Sequence, residues 1–323
     1  MSRFSDFGNQ LYSGERSINF IGRRKIFYVI AIAMVFMAGA ISINPGFKFG
    51  IEFVGGSEYL ISGSKVDSTI VAEGAVHSVV ANKEVVATKI GLDTIRVHTP
   101  QLGDVTSEKV RVALAKAYKV PDSSVASSFI GPNWGADITS KALNGLGLFI
   151  LLAAILMALY FRTLKMSIAA MLSLGHDLLL TAGIYGLFGF EVTPAAVIGF
   201  LTILGYSLYD TVVVFDKIRE NTADVEHSES ATFAERVNLA INQTLVRSIN
   251  TSVVAVLPVA AILFIGAFLL GAGTLRDISL ALFIGIIVGT YSTIFIAAPF
   301  YSHLREGEEK YKKAAAKVLA KRA

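Results

Sequence analysis

Cysteine is absent from the 323 residues, which excludes disulfides, thiolate metal sites and cysteine nucleophiles and says nothing about the redox compartment. Charge is sparse at 17% of residues, where a soluble domain carries about a quarter. With 53% hydrophobic residues and a mean hydropathy of +0.59, a soluble fold of this composition would expose too much apolar surface. Basic residues exceed acidic ones only by 29 to 25, so nothing points to a nucleic-acid partner, and the placement of charge matters more than its sum. Tryptophan occurs once, at Trp134. Length alone suggests about two domains.

What the chain has is long apolar runs. Six stretches, 26–43, 142–161, 166–190, 194–215, 249–270 and 278–300, can cross the roughly 30 Å hydrocarbon core, which takes about 20 helical residues. The basic residues Arg23, Arg24, Lys25, Arg162, Lys165, Lys217, Arg219, Arg236 and Arg247, with the tail from Lys310 to Arg322, all fall on one side of six spans. That side is expected to be cytoplasmic, with both termini on it and membrane lipid around the bundle. The Ala38-Gly39-Ala40 end of the first run imitates a signal-peptide cleavage site. The long preceding segment, 1–25, and an apolar run beyond the usual 7–15 residues favour an uncleaved anchor across 26–44.

Residues 45–140 have balanced charge and no long apolar run, and are expected to form a domain on the outer face. The order reads strand (57–62), helix (67–82, capped by Asp67), hairpin (85–90 and 94–98 around Gly91-Leu92-Asp93), helix (opened by Thr106 or Ser107, ended by Pro121) and strand (124–130). This βαββαβ order is the ferredoxin-like α+β arrangement. Trp134 either sits at the membrane interface or packs locally. The rest of the bundle spans 141–300. Within it, 216–248 reads as a mostly polar inner segment, with an acidic, solvated loop at 224–229 that includes an exposed His227. A helix carrying Phe233, Val237, Ala240 and Ile241 on one face follows, lying along the membrane or beneath the bundle. Residues 301–323 form a basic tail.

Asp210 is the first candidate for function, because an ionisable side chain within a span is costly and is kept mainly for ion or proton work. On a helix it shares a face with Gly199 and Tyr206, at offsets of 11 and 4 residues, and nearly with Thr202. A face of small and polar residues packs on protein rather than lipid. Against this, Asp216 follows within about 8 Å of helix, so an early helix end would put Asp210 at the interface; the apolar 211–215 run favours the buried reading. His176-Asp177 is a second polar intrusion, serving either as a relay or as a structural hydrogen bond. No second His or carboxylate sits at a ligand spacing such as i, i+4, so no metal is expected. Arg247 heads a polar run with Ser248, Asn250, Thr251 and Ser252; it either pairs with Asp210 or is ordinary positive-inside decoration. Gly285 and Gly289 form a GxxxG for close helix packing.

The stretch from Gly205 to Asn221, with Tyr206 and Asp210, resembles the signature of the SecF branch of the SecD/SecF protein-export family. So do Asn242-Gln243-Thr244-Leu245-Val246-Arg247-Ser248, Gly273-Thr274-Leu275-Arg276-Asp277, Gly285 to Ser292, and Gly50-Ile51-Glu52-Phe53-Val54-Gly55-Gly56 after the first span. His176-Asp177 falls in step. Glu52 and Tyr209 depart from the pattern, which has Asp and Asn there.

The resemblance implies a six-helix half of a resistance-nodulation-division-like (RND-like) bundle, paired with a SecD subunit and attached to the SecYEG channel. Such a protein is not an enzyme: it promotes preprotein export by the proton motive force, its outer domain assisting unfolded preproteins, with protons as coupling ion and no cofactor. It places Asp210, Arg247 and Thr251 on the family's proton pathway. The rival readings are half of a proton-driven exporter of small molecules or lipids, which would need a second half, and an intramembrane aspartyl protease. The protease would need a Gly-x-Gly-Asp that is absent from the sequence; Gly175-His176-Asp177 is a poor substitute.

Overall fold

The computed structural model describes residues 3–81, 85–90, 93–161, 163–226, 230–269 and 273–322. Arg162, Gly91, Leu92 and His227, named above, and the expected range ends Asn82 and Leu270 lie outside the described residues. Helix α1 (Arg3–Ser13) leads to α2 (Arg24–Ile41). The connection between them is tied to a later helix: Asn238 Oδ1 accepts from the Phe20 amide at 2.8 Å, and Asn242 Oδ1 from the Ile18 amide at 2.8 Å. After α2 come wider helical turns at Ser42–Gly46, then β1 (Lys48–Phe49), α3 (Ile51–Val54), β2 (Gly56–Ile61), α4 (Ile70–His77), β3 (Val86–Ile90), β4 (Thr94–Thr99), α5 (Asp104–Tyr118) and β5 (Val125–Ile130).

The four longer strands form one antiparallel sheet in the order β3-β4-β2-β5, which is the ferredoxin-like order. Because strand side chains alternate, Tyr59, Ile61, Ile95 and Val97 all enter one core with Ala72 and Val76 of α4 and Val110, Leu114, Ala115 and Tyr118 of α5. Two expected helix starts are corrected. Asp67 does not cap α4; it pairs with Lys89 at 2.8 Å, and Thr69 precedes the helix. Helix α5 begins at Asp104 after Gly103, ahead of Thr106, and ends at Tyr118; Lys119 follows in the left-handed conformation (φ 56°), two residues before Pro121.

The chain continues as α6 (Pro132–Phe161), α7 (Leu164–Phe188), β6 (Glu191–Val192), α8 (Pro194–Thr222), α9 (Phe233–Ala261), α10 (Gly273–Ser292), α11 (Ala298–Glu306) and α12 (Glu309–Arg322). Wider turns run on from α9 over Ile262–Leu269 and join α10 to α11 over Thr293–Ala297. Among the described residues, six helical stretches are long and apolar enough to cross a membrane: Arg24–Asn44, Trp134–Phe161, Leu164–Phe188, Pro194–Thr222, Phe233–Gly266 and Thr274–Glu306.

Helix α6 therefore starts ten residues before the expected 142, since its first turns are helical without being apolar. The predicted inner helix and fifth span are likewise one continuous helix, α9. Its Phe233, Val237, Ala240 and Ile241 bury against Phe161, Phe215, Ile218 and Tyr301 at the base of the bundle. Thr232 fixes its start with a capping box, accepting from Glu235 N while the Glu235 carboxylate accepts from Thr232 N. In the loop expected to be solvated, Val225 is buried in that base cluster. The chain also pairs β1 with β6 in parallel, Lys48 opposite Glu191 and Phe49 opposite Val192, a contact that sequence reading missed.

Helices α7, α8 and α10 form the inside of the bundle, and glycine sets their spacing. A Cβ at Gly199 would collide with Ala281, one at Gly285 with Ile203, and one at Gly289 would press on Ser207. Helices α2 and α6 are the outer layer; α6 turns Leu148, Leu151, Leu152, Leu156 and Leu159 outward.

Candidate functional site

Helix α8 is fixed at its start by Thr193, whose Oγ1 accepts from the Ala196 amide at 3.2 Å, and by Pro194 in the first turn. From there it runs unbroken to Thr222, so the helix itself does not end near Asp210. Asp210 is 3% exposed. A buried carboxylate needs donors, and Asp210 has one: Ser248 Oγ donates to Oδ1 at 2.8 Å. Among the described residues its Oδ2 has no hydrogen-bond partner.

Arg247 is exposed and forms no ion pair with Asp210; it lies close enough to act on it through space. The physical reason is helical phase. Successive residues on α9 point about 100° apart, and the face that meets α8 carries Ser248 and Ser252, one turn apart, leaving Arg247 beside the contact. The direct Asp210–Arg247 pair anticipated from the sequence is thus replaced by Asp210–Ser248. Thr251 is half-buried, and its neighbour Ser252 makes the contact.

Around Asp210 the polar side chains join in pairs across helix interfaces. Tyr206 Oη donates to Ser252 Oγ at 3.2 Å, and Ser252 bonds Thr290 of α10. Thr211 bonds Thr293 at 3.0 Å. On the α7 side, Ser207 Oγ donates to Asp177 Oδ2, and His176 Nδ1 lies 3.5 Å from Asp177 Oδ1. Asp177 is fully buried and His176 nearly so. His176 Nε2 and the Tyr291 hydroxyl are buried without partners among the described residues, and the two rings stand 6.3 Å apart. His176 also lines an apolar cavity of about 690 Å³ between α2 and α7, with Tyr28, Phe36 and His303.

The structure sets Asp210 and Tyr206 against α9 through Ser248 and Ser252, and Asp177 and His176 on the α7 side through Ser207, as separate polar contacts of α8. Gly285 and Gly289 allow the close α8–α10 approach, and Gly199 sits further along the same contact. Thr202 turns outward and bonds its own helix at the Ile198 carbonyl. Sequence reasoning missed the roles of Ser207, Ser248, Ser252 and Thr290; the signal was the i, i+4 spacing of Ser248 and Ser252. Chemically, an underbonded carboxyl held by one hydroxyl can take up and release a proton with little rearrangement, since a hydroxyl both donates and accepts.

Comparison with known proteins gives a consistent result. The model of the family described as protein export membrane protein SecD/SecF, C-terminal, matches residues 110–307, and that of the SecD/SecF GG motif matches 40–65. The second range holds Gly55 and Gly56, both at positive φ, where a Cβ on Gly56 would strike the Thr99 carbonyl. The chain is 43% identical to the protein translocase subunit SecF of Streptomyces coelicolor, covering 100% of this chain and 86% of that one. It is 40% identical to SecF of Mycobacterium tuberculosis, covering 98% and 73%. Among solved structures it resembles SecDF of Thermus thermophilus, described as a translocon-associated membrane protein, with a TM-score of 0.75 and 32% identity over 90% of this chain. The match spans only 39% of that longer chain.

Proposed function

This chain belongs to the SecD/SecF family of protein-export membrane proteins, and on that premise we propose that it is a multi-pass, proton-coupled subunit of the Sec translocase. It acts with a SecD subunit beside the SecYEG channel and helps preproteins leave the membrane on the outer face. The relative in which both names are fused, SecDF, supports pairing with SecD. The basic residues at the end of the bundle that holds α1 and α12 support a cytoplasmic location for both termini, with the α/β domain outside.

The observation that carries the reading is the Asp210 carboxyl, buried at the α8–α9 contact with one donor and one open oxygen. Protonation removes the charge that holds Ser248 and attracts the nearby Arg247, and the α8–α9 contact repacks. That movement is passed to the α/β domain. One charge crossing 100 mV carries about 2.3 kcal/mol, enough to shift a two-state equilibrium roughly fifty-fold. A single proton per cycle is therefore a sufficient bias for one movement. Asp177, through Ser207, and His176 extend the proton pathway to the α7 side of α8, and Thr251 flanks it on α9.

The test is purification of the tagged chain from its native membrane. Recovery of a SecD subunit and the SecYEG channel is expected. Recovery of neither, together with transport of a small molecule by the purified chain, would replace the reading with that of half an exporter.

A further inference from the structure

The α/β domain meets the bundle through the sheet face that its own helices leave uncovered. With Tyr59, Ile61, Ile95 and Val97 turned to the core, strand alternation sends Glu58, Arg96 and His98 to the opposite face. Water would ordinarily cover that face; here β6, in the α7–α8 connection, lies against it. His98 is 8% exposed. Its Nε2 is 2.8 Å from Glu58 Oε2 and its Nδ1 is 3.0 Å from Glu191 Oε1. Two ring nitrogens facing two carboxylates must both donate, which is the imidazolium form. Arg96 Nη1 lies 3.3 Å from Glu191 Oε2, and its Nε lies 3.4 Å from Glu58 Oε2, an ion pair without an aligned hydrogen bond.

Two cations and two carboxylates thus balance across the junction. Other charged groups near it among the described residues include Lys48 of β1, opposite Glu191, Asp277 and Arg276 of α10, and Glu52, whose carboxylate lies by Gly50 and Thr193. Arg276 Nη1 also reaches the Lys89 carbonyl at 3.4 Å. Glu191 stands two residues before Thr193, which caps α8 and donates to Asp277 Oδ2 at 2.9 Å. The cluster is therefore anchored to the first turns of α8 and α10, the helices that carry Asp210 and Thr290.

We infer that Glu191 and His98 are positioning residues that latch the α/β domain to the start of α8, so that displacement of α8 reaches the domain through this four-residue ion cluster. The inference rests on the proposed reading of the domain as the moving part; the latch itself is measurable without a proton gradient. Its pH dependence has a definite sign. Burial works against the charge on His98, but hydrogen bonds to Glu191 and Glu58 raise its pKa from the ordinary 6.5 to about 9. A group raised in the folded state holds its contribution below its unfolded value and loses it as pH rises through the folded one. The latch is closed at neutral pH and opens near pH 9.

Because the chain has no cysteine, spin labels can be placed cleanly at Ser123→Cys on the domain and Thr274→Cys on α10, both exposed. Distances are then read by double electron–electron resonance on the full chain in lipid nanodiscs. One distance is expected at pH 7, with a second population appearing near pH 9. Glu191→Gln should show the second population already at pH 7, and His98→Ala should lose the pH transition. Glu58→Gln should lower the midpoint by about one pH unit, since it removes a partner of the charged imidazole. The latch is overturned if the wild-type distance is unchanged from pH 7 to 10, or if Glu191→Gln matches wild type throughout. Should Glu191→Gln fail to fold, Glu58→Gln decides alone, and an unmoved midpoint overturns the inference. Failure of Asp210→Asn to affect gradient-driven export, with these distances as expected, would sink the proton reading and leave the latch standing.

Discussion

Ser248→Ala is the perturbation whose size reports most about the site. Among the described residues, Ser248 Oγ is the one donor to Asp210, at 2.8 Å, and the other carboxylate oxygen lacks a partner. Removing the hydroxyl leaves a buried carboxyl without a hydrogen bond among the described residues. A hydrogen bond to a charged group contributes about 1.5–3 kcal/mol, and one between neutral groups about 0.5–1.5 kcal/mol. If Asp210 is ionised in the resting state, Ser248→Ala should cost about 1.5–3 kcal/mol, a 10- to 150-fold change in the folding equilibrium. In an Asp210→Asn background the same substitution should cost about 0.5–1.5 kcal/mol, and the difference is the coupling between the two side chains. Reversible denaturant unfolding of the four proteins in detergent micelles, followed by circular dichroism, measures all terms. Ser248→Thr, which keeps the hydroxyl, serves as the control. A Ser248→Ala cost below about 0.3 kcal/mol, or a Ser248→Thr variant as weak as Ser248→Ala, would refute the assignment of Ser248 as the partner of Asp210.

The glycine seam predicts a second coupling: Gly285→Ala should cost about 1–3 kcal/mol by forcing Ile203 aside, and adding Ile203→Ala should recover part of it, whereas strict additivity in the same unfolding assay would show that the helices do not meet there. At the sheet, Gly56→Ala should lower the melting temperature measurably, because the residue sits at φ 140° and its new methyl would strike the Thr99 carbonyl; an unchanged melting curve would count against that register. At the base, Thr232→Ala removes the capping box of α9 and should cost about 0.5–2 kcal/mol, read by the same denaturant titration, with no loss on Thr232→Ser.

The spans and the βαββαβ order were legible because both follow from periodicity, which is local. Boundaries that depend on tertiary contact were not. The polar first half of α9 reads as a separate surface helix until Phe161, Phe215 and Tyr301 are seen to cover its apolar face. Asp67 has the right chemistry for a cap, but Lys89 offers it a charged partner that lies nearby only in the folded domain.

At the site, the cost of burying a carboxylate singled out Asp210. Choosing its partner from the run Arg247, Ser248, Asn250, Thr251, Ser252 requires the rotation of α9 about its axis, which packing against α8 and α10 decides. The junction was hidden for a related reason. Arg96 and His98 could be assigned to the polar face of β4 by alternation, but the carboxylate they meet, Glu191, is some ninety residues away in the chain.

The central claim, that Asp210 couples the proton gradient to export, is tested most directly in proteoliposomes holding this chain, a SecD subunit, the SecYEG channel and a preprotein arrested partway. Imposing a proton gradient and measuring the fraction of preprotein completed compares wild type with Asp210→Asn, which keeps the shape and an acceptor for Ser248 but cannot cycle a proton. The gradient is expected to accelerate completion for wild type and to leave the Asp210→Asn rate at the gradient-free level; equal acceleration of both would contradict the central claim.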